Sequence, residues 1–278
     1  MVHGIVVGVS ESAAGAAALD WGLRQAACRR VPLVAVRAWD IAAYGPYYSV
    51  GSALRSTSPD FELTELQIAQ KAVVDAVQRV PEAADVDAKG VATRGRPPEV
   101  LVAAAKDSDL LVLGTRGVGA LSRVVHLGSV TSSVLHHAHG PVAVIPEATP
   151  ATPGSPQRVA VGVDGSAASL RALTWAVSHA RFTGATLVPL SVVGSRDDET
   201  GTASLHAAAK AAGSGDLIVE PQVRHGNVSQ ELLAAAAEAD LLVIGSRGRG
   251  GFASLLLGST SSQVAGHSTR PVVVVRPD

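Results

Sequence analysis

The stretch GSRGRGGFASLLLGSTSS, residues 245–262, combines residue types that bind anions. It contains glycines, two arginines and a cluster of hydroxyl side chains, and it contains no acidic residue. It begins at the end of ADLLVIG, whose apolar run is typical of a buried strand, and Gly258 and Ser259 stand where a helix would begin. Glycine lets backbone approach a ligand closely, and free N–H groups at a helix start carry partial positive charge. The stretch therefore predicts a site for a polyanion such as the phosphates of a nucleotide.

Two other phosphate-binding motifs fit this chain poorly. A P-loop requires Gly-Lys followed by Ser or Thr, and the chain has no Gly-Lys pair. GRGGFA, residues 248–253, has the form G-x-G-x-x-A of the dinucleotide fingerprint, but it follows the fourth strand of its unit and not the first. Its counterpart GVGALS, residues 117–122, departs from that form at the last position. A glycine-rich turn that binds nothing is the remaining alternative, and the presence of two such stretches favours a ligand site.

The chain is a duplicated unit, because blocks of its first half recur in its second half. The offset between the copies falls from 154 in the first block to 131 in the second and 130 in the last. The first copy therefore carries extra residues within 40–62 and one more between Gly117 and Gly128. The recurring blocks are 5–26 with 160–180 and 109–117 with 240–248, and they are marked by the pairs Gly8–Gly162, Trp21–Trp175 and Pro141–Pro271.

Hydrophobic patterning predicts the same α/β fold for each copy. Strand-like runs such as LLVI and VVVV alternate with helical patterns and are apolar throughout, as expected when helices cover both faces of a parallel sheet. The order of elements predicts two tandem, doubly wound, five-stranded parallel sheets. Ser166 is expected to cap the first helix of the second copy, and Gly184 is expected to end it. The predicted domains are 1–146 and 158–278, joined by a proline-rich linker at 147–157.

The final strand of each copy is apolar and closes its sheet. The two strands are PVAVIP, residues 141–146, and PVVVVRP, residues 271–277. An unpaired edge of this kind invites association with another strand. We therefore expect the two final strands to pair with each other, so that one chain forms a pseudo-dimer.

The bulk composition excludes several classes of protein. Of 278 residues, 47% are hydrophobic and 17% are charged, which suits globular domains and not a disordered chain. The formal net charge of −1 gives no global attraction to nucleic acid or to an anionic membrane. The single cysteine, Cys28, cannot form an intrachain disulfide or a Cys-x-x-Cys metal site. Because no apolar run approaches the roughly 18 residues that span a bilayer, we expect a soluble, cytoplasmic protein.

Both copies resemble universal stress protein domains, in the tandem arrangement of many actinobacterial members. The family's nucleotide signature is G-x2-G-x9-G-[ST], and the second copy matches it with Gly245, Gly248, Gly258 and Ser259. The resemblance implies an adenine nucleotide alpha hydrolase-like fold, with the two domains related by a pseudo-two-fold axis. It also implies that the ligand is ATP, alone or with Mg²⁺. A stress-response protein of this family is usually a homodimer, and catalysis is not established across the family.

The resemblance also assigns individual residues to the nucleotide. Asp164, in VGVDGS, is expected to contact the ribose region or a phosphate-bound metal, and Val192 falls on or near the residue that contacts adenine. The predicted nucleotide-binding residues of the second copy are Gly162, Val163, Asp164, Val192, Gly245, Arg247, Gly248, Gly258, Ser259, Thr260 and Ser261. Those of the first copy are Gly8, Val9, Ser10, Ala38, Gly114, Arg116, Gly117, Gly128, Ser129, Val130 and Thr131.

The first copy departs from the second at two points of this site. Ser10 stands where Asp164 stands, so that a carboxylate acceptor is lost. Ten residues, in place of nine, separate Gly117 from Gly128. We therefore expect ATP to bind the second copy more tightly, with the first copy weaker or empty.

Some charged residues keep two interpretations. Arg116 and Arg247 occupy the same place in the two glycine loops, and they either meet phosphate or are solvated. The histidines at 136, 137 and 139 resemble a metal cluster. However, His137 aligns with His267 just before the proline of the last strand, which favours a structural role at a helix end.

The aromatic residues include three tyrosines of the 40–62 insertion, Tyr44, Tyr47 and Tyr48. These tyrosines form a lid, a surface for a partner, or a loop without a specific role. Trp21 and Trp175 are expected to pack in the core.

The function class remains open. No Ser-His-Asp order, catalytic carboxylate pair or zinc-ligand spacing is present. A nucleotide-dependent regulator is the leading hypothesis, and the alternatives are a slow ATPase or nucleotidyl-handling enzyme and a scaffold for dimerisation that binds no nucleotide.

Overall fold

Two compact units make up the part of the chain that the structure describes. The computed structural model describes residues 4–40, 59–115, 127–147, 158–193, 198–249 and 257–277. Unit 1 takes the described residues up to Gly140, apart from Leu127. Unit 2 takes Leu127 and the described residues from Pro141 onwards.

Unit 1 is a parallel sheet with helices between its strands. The strands lie in the order β3-β2-β1-β4, and all three pairings are parallel. A short 3-10 helix, Pro81–Ala83, follows the second α-helix. In chain order, the elements are β1 Ile5–Gly8, α1 Ala13–Arg29, β2 Leu33–Trp39, α2 Pro59–Arg79, β3 Ala88–Arg94, α3 Pro97–Ala104, β4 Leu110–Gly114 and α4 Ser129–His137.

Unit 2 repeats this order and contains two further strands, β5 before it and β10 after it. Its strands lie in the order β5-β10-β9-β6-β7-β8. Every pairing is parallel except that of β5 with β10. In chain order, the elements are β5 Val142–Ile145, β6 Arg158–Gly162, α5 Ala167–Thr183, β7 Thr186–Val193, α6 Asp198–Ala211, β8 Gln222–His225, α7 Val228–Ala237, β9 Leu241–Gly245, α8 Ser259–His267 and β10 Val272–Val275.

The strand order confirms the doubly wound α/β fold that the sequence predicts. In unit 2, β7 and β8 lie on one side of β6, while β9 and β10 lie on the other. Central strands such as β6, β9 and β10 are buried along their apolar residues, because helices cover both faces. The order turns back between β6 and β9, and ligands of such sheets bind beside the carboxyl ends at this point.

The predicted pairing of the two final strands is confirmed. In unit 2, Val273 of β10 pairs with Ala143 of β5 in an antiparallel ladder. All residues of both strands are buried, so neither presents an open apolar edge. Strand β5, which is the last strand of the first sequence copy, therefore belongs to unit 2.

Local signals set the ends of the first helix in each copy. The hydroxyl oxygens of Ser12 and Ser166 accept backbone N–H bonds and cap α1 and α5, as predicted for Ser166. Gly184 ends α5 in the left-handed conformation at φ 66°, also as predicted. Trp21 is buried in the core of unit 1. Trp175 is half-buried and stacks on the buried ring of His179 at 5.0 Å between centroids.

Gly90 allows helix α2 to lie directly against strand β3. A Cβ built on Gly90 would lie 2.5 Å from the carbonyl carbon of Ala69 and 2.6 Å from the nitrogen of Gln70. These are backbone atoms, so a rotamer change cannot relieve the clash. The α2–β3 contact therefore requires glycine at this position.

We predict that Gly90→Ala lowers the free energy of unfolding by about 1–3 kcal/mol, because overpacking forces α2 away from the sheet. Urea denaturation followed by circular dichroism measures this change. Gly140→Ala is the matched control, since its Cβ would meet only the Ser108 carbonyl oxygen, at 3.8 Å. Equal stability of the two variants would contradict the direct backbone contact.

Candidate functional site

A cleft of about 270 Å³ opens in unit 2 at the carboxyl ends of β6, β7 and β9. It lies where the strand order turns back, at the expected place for a ligand. Gly258 and Ser259, also predicted for this site, come directly before Thr260 at the start of α8. The other residues predicted for the second copy all line the cleft, and they are Gly162, Val163, Asp164, Val192, Gly245, Arg247, Gly248, Thr260 and Ser261.

Asp164 holds the glycine-rich loop against the end of β6. Its Oδ1 accepts the backbone N–H of Ser166 at 2.9 Å, and its Oδ2 accepts the backbone N–H of Arg249 at 2.9 Å. Burial raises the pKa of this half-buried carboxyl. Hydrogen bonds from Ser166, Ser169 and Arg249 outweigh burial and hold the pKa below the ordinary value of 3.8. The carboxylate is therefore ionised at neutral pH.

Ser166 provides a second tie between helix α5 and the same loop. Its Oγ accepts the N–H of Ser169 at 3.2 Å, which is the capping bond of α5. The hydroxyl also lies 3.3 Å from the carbonyl oxygen of Arg247, to which it donates. The loop after β9 is thus fixed by side chains from the loop after β6. Such ties pre-organise backbone groups for a ligand.

Three glycines permit this close approach. A Cβ on Gly248 would lie 2.7 Å from Oδ2 of Asp164, and a Cβ on Gly245 would lie 2.8 Å from the backbone carbon of Ala168. Gly165 has φ 79°, and the guanidinium of Arg249 covers the position of its missing side chain. A larger residue at any of these positions would displace the loop or the carboxylate.

The start of α8 has no side-chain cap. Gly258 is its N-cap residue, whereas a serine caps α5 and Asn227 caps α7. The hydroxyl of Ser261 donates to the Gly245 carbonyl oxygen at 2.8 Å, so it anchors the helix to the end of β9. An uncapped helix start leaves backbone N–H donors for an anion. The phosphate site that the sequence places at this helix start stays a prediction.

Two arginines, Arg247 and Arg276, carry positive charge near this helix start. Arg247 lines the cleft, and Arg276 directly follows β10, which neighbours β9. Burial and then the charge of Arg247 lower the pKa of the Arg276 guanidinium. Two neighbouring like charges attract an anion that can lie near both. The sequence leaves Arg247 either in contact with phosphate or solvated. A second arginine beside it favours the contact with phosphate.

The opposite part of the cleft is apolar. Leu190, Leu232 and Ile244 form a buried apolar part of its wall, and Val228 is 46% exposed at its edge. The sequence-based prediction missed these four residues, together with Ser169 and Arg249. Val228 could have been found from its place at the start of the helix after β8, since that helix begins at the same edge of the sheet. The remaining apolar residues follow ordinary core patterns and give no separate signal.

Comparison with known proteins identifies the family. The model of the universal stress protein family matches residues 1–146 and 156–276. The chain belongs to the universal stress protein family. It is 36% identical over 301 residues to a universal stress protein of Mycolicibacterium smegmatis, with 99% of this chain and 97% of that protein covered.

A solved structure of a universal stress protein shows the same fold, and a second one is similar in sequence. One from Archaeoglobus fulgidus has a TM-score of 0.75 at 22% identity and covers 99% of this chain and 98% of its own. Another, a universal stress protein in complex with cAMP, has a TM-score of 0.39 at 34% identity and covers 45% of this chain and 100% of its own.

The first universal stress protein domain shares part of the site geometry. The hydroxyl of Thr131 donates to the Gly114 carbonyl oxygen at 2.8 Å, as Ser261 does in the second copy. Helix α4 likewise has a glycine, Gly128, as its N-cap residue and no side-chain cap. At the position of Asp164, however, the hydroxyl of Ser10 lies 2.8 Å from that of Ser12. The carboxylate tie to the glycine loop is therefore missing.

The remaining residues predicted for the first copy take comparable places. Gly8 ends β1, and the N–H of Val9 donates to the Val36 carbonyl oxygen at 2.9 Å. Ala38 lies in β2, and Ser129 and Val130 begin α4. Arg116, Gly117 and the tyrosines of the 40–62 insertion lie outside the described residues.

The histidines near the last strand of each copy make matching backbone contacts. Nδ1 of His137 lies 2.7 Å from the Ser133 carbonyl oxygen, and Nδ1 of His267 lies 2.8 Å from that of Gln263. This repeated contact confirms the structural role at a helix end. Within the described ranges, no group of three or more His, Cys, Asp or Glu residues could hold a metal ion. None of the helices in those ranges is long and apolar enough to cross a membrane.

The lowered pKa of Asp164 predicts how stability depends on pH. Because the folded carboxyl has the lower pKa, its ionised form stabilises the fold above the ordinary value of 3.8, and this contribution is lost as pH falls through the folded value. We expect Asp164→Asn to show a shallower decline in unfolding free energy between about pH 5 and pH 3 than the unchanged chain. Chemical denaturation across this range measures both slopes. Parallel slopes would contradict the carboxylate tie.

Proposed function

We propose that this universal stress protein binds ATP in the cleft of unit 2 and acts as a nucleotide-dependent regulator of a stress response. The observation that carries the proposal is the uncapped start of α8 beside a glycine loop that Asp164 holds in place. Backbone donors and a fixed loop at the end of a central strand suit phosphates. The apolar part of the cleft, around Leu190 and Val228, suits a purine ring.

Asp164 is suited to a role in both loop geometry and nucleotide contact. Each of its oxygens accepts one backbone N–H, and each carboxylate oxygen can accept a second hydrogen bond. Ribose hydroxyls are fitting donors. Mg²⁺ bound to nucleotide phosphates needs only one or two protein carboxylates, so this residue also fits a metal that arrives with ATP. The lone carboxylate does not form a metal cage on its own.

The same carboxylate argues against hydrolysis as the main activity. Asp164 is the only acidic side chain among the described residues that line the cleft. Its lowered pKa makes it a weak base for activating water. Together with the missing P-loop lysine, this supports binding without turnover over a slow ATPase.

The assembly and location of the protein rest on the family resemblance. We propose a cytoplasmic homodimer whose association with partners changes with nucleotide occupancy. The nucleotide would act by binding one arrangement of the glycine loop better than another, since a ligand shifts an equilibrium only through such a difference.

We predict that Asp164→Ala weakens ATP binding by about tenfold or more, because a hydrogen bond to a charged acceptor contributes about 1.5–3 kcal/mol. Isothermal titration calorimetry with ATP, ADP, AMP and cAMP measures affinity and stoichiometry. Asp216→Ala is the matched control, because Asp216 is an exposed aspartate of the same unit and lies outside the cleft lining. The control should bind ATP as the unchanged chain does.

The two copies should also differ in the same titrations. We expect one tighter site, which Asp164→Ala weakens, and a weaker or empty site in unit 1. Ser10→Asp should strengthen the unit 1 site, because it restores a carboxylate acceptor. Two equal sites that are both insensitive to Asp164→Ala would contradict the proposal.

A further inference from the structure

A second cavity lies in unit 1 between helices α3 and α4. This groove has a volume of about 570 Å³, within the range of small-molecule sites. None of its lining residues belongs to the predicted nucleotide site. Pro98, Val102 and Ala103 give it an apolar part, and basic side chains lie at Arg96 and Lys106.

The second copy of the domain is an internal control for these basic residues. Arg96 and Lys106 align with Asn227 and Ala237, and His139, which also lines the groove, aligns with Thr269. The shared fold therefore does not require a basic residue at any of the three positions. His137 is different, because its counterpart His267 makes the same contact with its own helix.

Helix dipoles alone do not account for the extra charge. Cations are favoured near the C-terminal ends of helices, and Lys106 and His139 each follow a helix by two residues. However, in unit 2 α7 ends at Ala237 and α8 ends two residues before Thr269, and neither of these residues is basic. The helix dipoles have the same sense in the two copies, while basic side chains at these two positions occur in the first copy.

Among the residues that the structure describes, one acidic side chain lines the groove, and it leaves the positive charge available. Glu99 accepts a hydrogen bond from Arg96 at 3.0 Å. The two side chains are 68% and 75% exposed, and an exposed pair of this kind contributes little to stability. An incoming anion can therefore replace Glu99 as the partner of Arg96. Lys106 and His139 are also exposed at the groove.

We propose that this groove binds a small organic anion, namely an apolar body that carries a phosphate or carboxylate group. The apolar residues would cover the body, and Arg96, Lys106 and His139 would surround the anionic group. A phosphate suits Arg96 in particular, because the guanidinium presents paired donors. The site would give unit 1 a ligand of its own, independent of ATP binding in unit 2.

The proposal is tested on the full chain by following the ring signals of the histidines by NMR. The probes are phenyl phosphate, benzoate, inorganic phosphate and neutral benzyl alcohol. Lys106→Ala and Arg96→Asn install the residues of the second copy, so both substitutions are ones that this fold accommodates. Lys71→Ala is the matched control, because it removes an equal charge from an exposed lysine of unit 1 outside the groove.

Phenyl phosphate, benzoate or both should shift the His139 and His137 signals, and whichever shifts them identifies the anionic group. Each substitution should weaken binding about threefold, as expected for exposed ion pairs, and the two together about tenfold. Higher salt should weaken binding further, and Lys71→Ala should change nothing. No shift with either organic anion would overturn the proposal, as would equal behaviour of Lys106→Ala and Lys71→Ala. Equal binding of benzyl alcohol would overturn the requirement for charge.

Discussion

The Asp164 carboxylate is the interaction on which the candidate site depends. It accepts one N–H from Ser166 at the start of α5 and one from Arg249 in the glycine loop after β9, which lies 85 positions from Asp164 in sequence. An ionised acceptor makes both bonds stronger than neutral ones. The carboxylate therefore links the carboxyl ends of β6 and β9, the two strands between which the strand order reverses. Gly248 must lack a side chain because the carboxylate occupies that space.

The duplication separates what the fold needs from what the ligand needs. In both copies a hydroxyl-to-carbonyl hydrogen bond anchors the last helix. In both copies the N-cap residue of that helix is a glycine, so the helix has no side-chain cap. Because both units share these features, the features alone do not account for the tighter binding that we propose for unit 2. The carboxylate tie occurs in the second copy, and the basic groove beside α3 occurs in the first. The two units thus differ at half-buried and exposed polar positions while both keep the same apolar sheet core.

Much of this arrangement could be predicted from sequence, because it depends on local patterns. Apolar runs give the strands, Ser166 and Gly184 bound a helix, and the glycine signature gives the loop. The pairing of β5 with β10 could be predicted because an unpaired apolar strand at the edge of a sheet invites association with another strand. Other features depend on contacts that no local pattern encodes. The Arg249 N–H reaches Asp164 only after the sheet has formed, and Arg276 comes near Arg247 only because β9 and β10 are neighbours.

Mass spectrometry of the nucleotide that is released from the purified chain on denaturation tests the proposed ATP site most directly. We expect an adenine nucleotide, chiefly ATP, at up to one per chain, and its loss in a folded Gly248→Val variant whose side chain displaces Asp164 from the loop. A chain that holds no nucleotide even after incubation with ATP would contradict the central claim. Equal nucleotide content in the folded Gly248→Val variant would show that the glycine loop is not the phosphate site.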